Sequence, residues 1–452
     1  MSPADVPVLR LKRNEERRIQ AGHPWVFSNE IDTAATPLTA LTPGQAVQLW
    51  SARDRFLGHA YANPHSLICA RVMSRDPDLP IGPKLLERRL RAALELRQLL
   101  SAEPFGRLVF GESDQLPGLV LDRFGDIVVG QIATAGMEVL RPLIEAAVRK
   151  VIAPRSLYWK NDSGARALEQ LPQFSGWANG QMTGQMIGKM RGPTAGRRAE
   201  AGDQVVDQAG DRAGSSPGDA EADPSDAEIM VRENGIDFIA PLAEGQKTGW
   251  FYDQAANRRR LGAYLKPGSR VLDVCSYVGA WAVAALRHGA ASVTCVDASQ
   301  VALDYATRNA AAGGHPALET AGGRPAIETI RGDAFDVLKA LHERGERFDA
   351  VILDPPAFIK RKKDIATGQA AYRKLNQLGM NLLGEEGLLV SCSCSYHLAE
   401  ADLLAGVQAA ARHNGRFAQV LEVGLQSPDH PLHPAIPETR YLKGLFCRVT
   451  RD

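Results

Sequence analysis

Apolar and polar positions follow three different rhythms along the chain. Over residues 1–80 the apolar runs are short and β-like, at residues 26–27, 46–50, 56–61 and 66–72. Turn signals at Pro43-Gly44, Arg53-Asp54 and Asn63-Pro64 separate them, and the spacing predicts a small β-barrel. From 85 to 100 apolar residues recur at helical spacing with charges between them, which predicts an amphipathic helix. Strands expected at 110–114, 118–124 and 127–132 and a helix over 137–152 make residues 81–245 a central α+β segment. Between about 176 and 228 the periodicity is lost to Gly, Ala, Asp, Gln, Arg and Ser. Such a stretch cannot bury enough apolar area to offset its ordering entropy, so a disordered surface insertion is expected. A Met-bearing loop (Met182, Met186, Met190) is the alternative. From Ile229 strand and helix patterns alternate, with strands at 271–274, 292–296, 348–353 and 388–393 and helices at 281–288, 301–312 and 370–383. Alternation of this kind predicts a mostly parallel, Rossmann-like α/β sheet covered on both faces, placed at 246–452.

Length agrees with that division, since 452 residues exceed one ordinary domain. Lys+Arg 53 against Asp+Glu 52 gives net +1, which excludes a general polycation, so a nucleic-acid partner must be met by a local patch. Two patches qualify. Arg10, Lys12, Arg13, Arg17 and Arg18 precede His23-Pro24-Trp25-Val26-Phe27, a mixture suited to phosphate contact and base stacking. The alternative is a solvated turn before core aromatics, with Glu15 and Glu16 diluting the charge. Lys360-Arg361-Lys362-Lys363 forms the second patch, placed either to meet substrate phosphates or as a charged solvent loop. The six cysteines have no framework spacing and no apolar leader precedes them, so free thiols in a reducing cytoplasm are expected. No run of about 18 apolar residues exists, and no membrane span is expected.

The candidate chemistry lies at the ends of the C-terminal strands. Asp273-Val-Cys-Ser-Tyr-Val-Gly279 follows the first of them, where the turn must let a ligand approach the backbone. The G-x-G-x-x-G fingerprint is absent, which argues against NAD or FAD. Asp297 closes the next strand, where an acid meets ribose hydroxyls in this class of sheet, and Asp333 closes the third, where it can accept from an adenine amine. Each alone is also a common helix N-cap, whereas three acids after consecutive strands point to a nucleoside-containing cofactor. With a thiol nearby, the pocket is read as one for S-adenosylmethionine, with Asp273, Ser276, Gly279, Asp297 and Asp333 as binding residues. Upstream, Lys247, Thr248, Gly249, Phe251, Asp253 and Gln254 are expected to wrap its methionine end; the alternative is a helix entry capped by Thr248 or Asp253.

Asp354-Pro355-Pro356-Ala357-Phe358 follows an apolar strand, and its prolines stiffen a turn from which a carboxylate can hold a nucleobase edge. Methylation of an exocyclic amine would use a ring directly after the prolines; here Ala357 occupies that place and Phe358 is displaced by one. Carbon 5 of a pyrimidine instead needs a thiolate to attack carbon 6. Cys392 and Cys394 both qualify, and Cys394, nearer the open strand end, is the expected nucleophile. Inert core thiols are the alternative. Cys392, Cys394 and His397 lack a completing ligand pair, so no metal is expected.

Taken together these motifs resemble the ribosomal RNA large subunit methyltransferase I family, the 23S rRNA cytosine-5 methyltransferases. The resemblance covers almost the whole chain apart from the polar insertion. It rests on Gly22-His-Pro-Trp-Val-Phe-Ser28, Lys247-Thr248-Gly249 with Asp253-Gln254, Asp273 to Gly279, Asp354-Pro355-Pro356, Ser393-Cys394-Ser395 and Tyr441-Leu442-Lys443-Gly444. It implies an N-terminal RNA-binding PUA barrel, a central mixed segment and a class I methyltransferase domain binding S-adenosylmethionine, with 23S rRNA as partner. It also implies Cys394 as the group attacking carbon 6 and Asp354 as the group orienting cytosine. Ala357 leaves no thiol in the Asp-Pro-Pro turn, so the carbon 5 proton must leave to water or another group. An amine methyltransferase and a non-catalytic RNA-binding or ribosome-assembly factor remain the competing functions, and a homodimer is left open.

Overall fold

In the computed structural model, residues 6–178, 228–242, 245, 248–313 and 326–452 are described. The N-terminal strands are β1 (Val8–Arg10), β2 (Trp25–Phe27), β3 (Gln45–Trp50), β4 (Phe56–Ala62) and β5 (Ile68–Ser74), paired in the order β1-β3-β4-β5-β2. Alternation in these strands turns Val26, Val47, Leu49, Ala60 and Val72 into one buried core with Leu9, Leu11 and Ile31. The predicted strands are all present.

A second sheet is built from β6 (Phe105–Phe110), β7 (Leu119–Phe124), β8 (Ile127–Ile132), β9 (Ser156–Asn161) and β10 (Phe174–Trp177), in the order β10-β9-β8-β7-β6. Its core is shared with helix Pro83–Leu100, whose Leu85, Leu86, Leu90 and Ala93 are buried at the predicted spacing. Two elements differ from expectation. Residues 111–114 are a 3-10 turn rather than strand, because the Asp114 carboxylate accepts from the Phe110 amide at 2.6 Å and bends the chain. The single helix expected at 137–152 is two, Ala135–Val139 and Arg141–Val151, since Pro142 cannot donate into a continuing helix but suits a first turn. The expected insertion and its Met182, Met186 and Met190 lie outside the described residues, while Gly176 and Trp177 belong to β10.

A hairpin, β11 (Glu228–Glu233) and β12 (Ile236–Pro241), follows. Asn234 and Gly235 both have positive φ, the geometry a two-residue hairpin turn demands. Its Ile229, Val231, Phe238 and Ala240 join Phe124, Val129 and Tyr158 of the second sheet to Trp281 and Leu303 on one face of the C-terminal sheet.

That third sheet contains β13 (Arg270–Val274), β14 (Ser292–Asp297), β15 (Ile327–Arg331), β16 (Phe348–Leu353), β17 (Leu383–Ser393), β18 (Arg416–Gly424) and β19 (Lys443–Arg451). The order is β15-β14-β13-β16-β17-β19-β18, parallel except for β19, which runs antiparallel to both neighbours. Helices Ala280–Arg287 and Gln300–Ala312 cover one face, and Ala334–Glu343, Ile365–Asn381 and Glu400–His413 the other. Strands buried on both faces read as continuous apolar runs, which is why 271–274 and 348–353 were legible. The chain order reverses beside β13, and this switch point is where such sheets bind ligands.

Candidate active site

At the carboxyl ends of β13, β14, β15, β16 and β17 lies a cavity of about 450 Å³. Its wall includes Phe251, Asp253, Gln254, Ser276, Asp297, Asp333, Asp354 and Cys394, all singled out from sequence. The turn after β13 is tightly wound: Cys275, Tyr277 and Gly279 all have positive φ. Left-handed backbone costs a non-glycine residue roughly 1–2 kcal/mol. Tyr277 is held there by three contacts. Its amide donates to Asp297 Oδ2 at 2.9 Å, its hydroxyl donates to the Gly249 carbonyl at 3.1 Å, and its ring meets Phe251 edge-on at 5.4 Å. Gly279 is required for a different reason from the one expected, since a Cβ there would stand 2.7 Å from the Ala306 Cβ. It seats one helix on another and is not part of the cavity wall.

The three acids are not equivalent. Asp297 takes up the Tyr277 and Ser299 amides, the latter also at 2.9 Å, and still lines the cavity. Asp333 caps helix Ala334–Glu343 through the Phe335 amide at 2.9 Å while lining the same cavity, so capping and an exposed acceptor edge coexist in one residue. Asp273 stands behind the wall instead, fully buried with neither oxygen hydrogen-bonded. Burial and the nearby Asp354 charge push its carboxyl up to about 8. Ser276 lines the wall with its hydroxyl buried.

Asp354 accepts from Gln254 Nε2 at 2.9 Å and from Trp281 Nε1 at 3.0 Å. Burial raises its carboxyl above the usual range against these two donors. Cys394 sits across the turn, with Sγ 4.0 Å from the Pro355 carbonyl. Cys392, two residues earlier, is buried in the core beneath Gly444, and burial drives its thiol far up. Phe358 also lines the cavity, packed 4.7 Å from Tyr372 and 6.1 Å from Phe335.

Of the upstream segment, Lys247 lies outside the described residues. Thr248 turns away from the cavity and donates to Asp122, itself fully buried and bidentate with Arg107 at 2.6 and 2.9 Å. Gly249 contributes its carbonyl to Tyr277 rather than a surface to the wall. Asp253 receives the Tyr441 hydroxyl at 2.5 Å. Neither Thr248 nor Asp253 caps a helix.

Two residues that hold the site together, Arg258 on the wall and Lys443 behind it, were given no role from sequence. Arg258, buried, makes two 2.6 Å bonds to Glu233 and a 2.7 Å bond to the Phe251 carbonyl, holding hairpin and cavity together. The run Arg258-Arg259-Arg260 looks like a solvated face, and nothing local distinguishes its first member. Lys443 pairs opposite Ser393, and its buried Nζ donates to the Ser395 and Leu398 carbonyls, both at 2.7 Å. It thereby clamps the turn that carries Cys394, and burial pushes its ammonium down to about 8.

Among the expected RNA contacts, Arg10 is ion-paired with Asp54 at 2.7 Å and Arg18 with Glu30 at 2.7 Å, while Lys12 donates to the Asn29 carbonyl. Arg13 and Arg17 are exposed. Lys360, Arg361, Lys362 and Lys363 are all exposed on the loop leaving the cavity wall at Phe358, with Arg361 near Asp364 at 3.4 Å.

The chain and its fold have counterparts among known proteins. A family model described as S-adenosylmethionine-dependent methyltransferase matches residues 165–443, and one described as PUA-like domain matches 9–75. Ribosomal RNA large subunit methyltransferase I of Aeromonas salmonicida is 32% identical over 445 residues, covering 98% of this chain and 99% of the relative. The chain belongs to the ribosomal RNA large subunit methyltransferase I family. The protein of the same name in Escherichia coli strain HS is 32% identical over 446 residues at the same coverage. A solved Streptococcus mutans structure, described as a SAM-dependent methyltransferase, shares the fold with a TM-score of 0.73 at 20% identity, over 98% of this chain and 100% of its own. A structure with the same figures carries S-adenosylhomocysteine. The cofactor of this family member is S-adenosylmethionine, and the cavity suits it in size and in its mixture of rings and carboxylates. No cluster of metal-ligating side chains occurs among the described residues, and no described helix is long and apolar enough to cross a membrane.

Proposed function

We propose that the chain methylates carbon 5 of a cytosine in large-subunit ribosomal RNA through a bond between Cys394 and carbon 6. The observation that carries this reading is the position of Cys394, a thiol on the cavity wall facing the Asp354 turn, with Cys392 withdrawn into the core. Relatives at 32% identity are named for ribosomal RNA, which supports the substrate class.

Bound S-adenosylmethionine supplies an electrophilic methyl group. Asp297 accepts the ribose hydroxyls and Asp333 the adenine amine, while Ser276, Phe251, Asp253 and Gln254 enclose the methionine end. Asp354 faces the cytosine edge, accepting from its exocyclic amine and, when protonated, donating to N3. The Cys394 thiolate adds its electron pair to carbon 6, and the displaced π pair makes carbon 5 nucleophilic enough to take a methyl group, whose bond to the cofactor's sulfur would break with the electron pair left on sulfur. Water removes the carbon 5 proton, the C5–C6 double bond re-forms, and the thiolate leaves. Lys443 holds the nucleophile's turn in place throughout. Lys360, Lys362 and Lys363 at the mouth meet substrate phosphates.

The test is covalent trapping on rRNA containing 5-fluorocytidine, in which fluorine replaces the proton that must leave. Wild type and Cys392→Ala should give a protein–RNA adduct and Cys394→Ala none. One observation favours a second reading: the Phe358 ring does reach the wall, as an amine methyltransferase requires. Methyl transfer without an adduct in wild type would select it.

A further inference from the structure

Two of the basic residues that stand out in sequence are neutralised in the fold, Arg10 by Asp54 and Arg18 by Glu30. A different set is not. Arg75 follows β5, and Arg88 and Arg89 lie on helix Pro83–Leu100, which reaches β5 through Arg89. Arg89 Nη2 donates to the Met73 carbonyl at 3.2 Å, and Arg75 Nη2 to the Ile19 and His23 carbonyls, both at 3.3 Å. Carbonyls orient a guanidinium without cancelling its charge. Among the described residues none of the three forms an ion pair, and Arg89 Nε is buried with no hydrogen-bond partner. Burial and then the charges of Arg88 and Arg75 pull Arg89 down to about 10. Arg89, anchored two residues from Arg75 and beside Arg88 on its helix, is held next to like charge at a cost in stability that an anion would return.

The surroundings suit a nucleic-acid strand better than a lone anion. His23 meets Trp25 edge-on at 5.5 Å, and burial and Arg18 push its imidazole down to about 4, so it is a neutral ring at pH 7. Trp25 Nε1 donates to Glu112 Oε1 at 2.8 Å, and Phe110, two residues before Glu112, lies 6.2 Å from the ring of Tyr441, whose hydroxyl donates to Asp253 on the cavity wall. The chain of contacts from Arg75 through His23 and Trp25 to Phe110 and Tyr441 thus runs from the arginines to the cavity.

We propose that Arg75, Arg88 and Arg89 form a phosphate-holding site for the RNA backbone, from which the strand passes the rings of His23 and Trp25 toward the Cys394 cavity. This rests on RNA being the substrate but not on the cysteine chemistry.

The experiment is anisotropy titration of a fluorescein-labelled large-subunit rRNA transcript over a range of NaCl, with Arg75→Gln, Arg88→Gln, their double variant and Arg10→Gln. Each lost phosphate contact removes about 0.7–0.9 from the slope of log K against log salt. The double variant should lose roughly 1.5, with S-adenosylmethionine affinity unchanged and Tm equal to or above wild type because repulsion is relieved. Arg10→Gln, ion-paired, should leave the slope nearly intact. An unaltered slope in the double variant, or a fall in Tm accompanying weaker binding, overturns the site. Adduct formation on 5-fluorocytidine rRNA separates the two readings. A reduced slope with no wild-type adduct leaves the phosphate site standing and removes the cysteine mechanism; a wild-type adduct with an unaltered slope does the reverse.

Discussion

Asp273→Asn removes a carboxylate that the fold buries completely with no hydrogen-bond partner. Its carboxyl stands at about 8, well above the ordinary carboxylate range, through burial first and the Asp354 charge second. The sign follows from proton counts. Below pH 4 folded and unfolded chains both carry the proton, and the group is neutral in both. As pH rises from about 4 to about 8 the unfolded chain releases the proton and the folded one keeps it, so stability falls; above 8 both are ionised and the loss is complete. Each unit is worth about 1.4 kcal/mol, so the full loss is of order 6 kcal/mol, a large part of a typical domain's stability. Asparagine mimics the protonated acid and does not titrate. Urea unfolding without cofactor should show Asp273→Asn gaining on wild type by roughly 3 kcal/mol between pH 5 and pH 7. Parallel stability curves for the two proteins over that range would refute the argument, because they would mean that Asp273 is ionised in the fold as it is in the unfolded chain.

Gly279→Ala should lower stability by roughly 2–5 kcal/mol, combining left-handed strain with a clash against Ala306, read as a shift in the urea midpoint. Lys443→Met should leave the Ser395 and Leu398 carbonyls unpaired and cost roughly 2–4 kcal/mol, and iodoacetamide labelling of Cys394 should show the loosened turn as a changed rate at fixed pH. Glu233→Gln replaces the carboxylate that pairs with buried Arg258 and should destabilise by roughly 3–5 kcal/mol, measured the same way. Thr248→Val should weaken S-adenosylmethionine binding by less than tenfold in a calorimetric titration, since its hydroxyl meets Asp122 rather than the cavity.

The C-terminal sheet was legible because its strands are buried on both faces and each ends on a residue with chemistry: Asp297, Asp354 and the Cys394 turn all reach one cavity. Misreadings arose where a side chain's direction depends on partners far along the chain. Asp273 and Asp297 look alike in sequence, yet one lies a residue before the end of β13 and is sealed in, while the other is the last residue of β14 and opens on the cavity. Thr248 and Phe251 are three residues apart in one motif, but Asp122 on β7 draws the first away and the Tyr277 ring holds the second at the wall.

Charge was the least legible property of all. Arg10 and Arg18 stand out because they are clustered in sequence, and their neutralising partners Asp54 and Glu30 lie 44 and 12 residues on. Arg75 and Arg89 are separated by a turn and half a helix, in segments that also hold Asp76, Asp78 and Glu87, so a sequence count reads them as balanced. In the fold, Glu87 pairs with Lys150, and the Asp76 carboxylate takes up the Asp78 amide. What is left beside Arg89 is other arginines. A basic patch is therefore the charge that remains after pairing, and pairing is set by tertiary contact. Because ion-paired guanidinium groups release few counterions when RNA arrives, the salt slope of RNA binding should follow the unpaired cluster and not the count of Lys and Arg in the barrel.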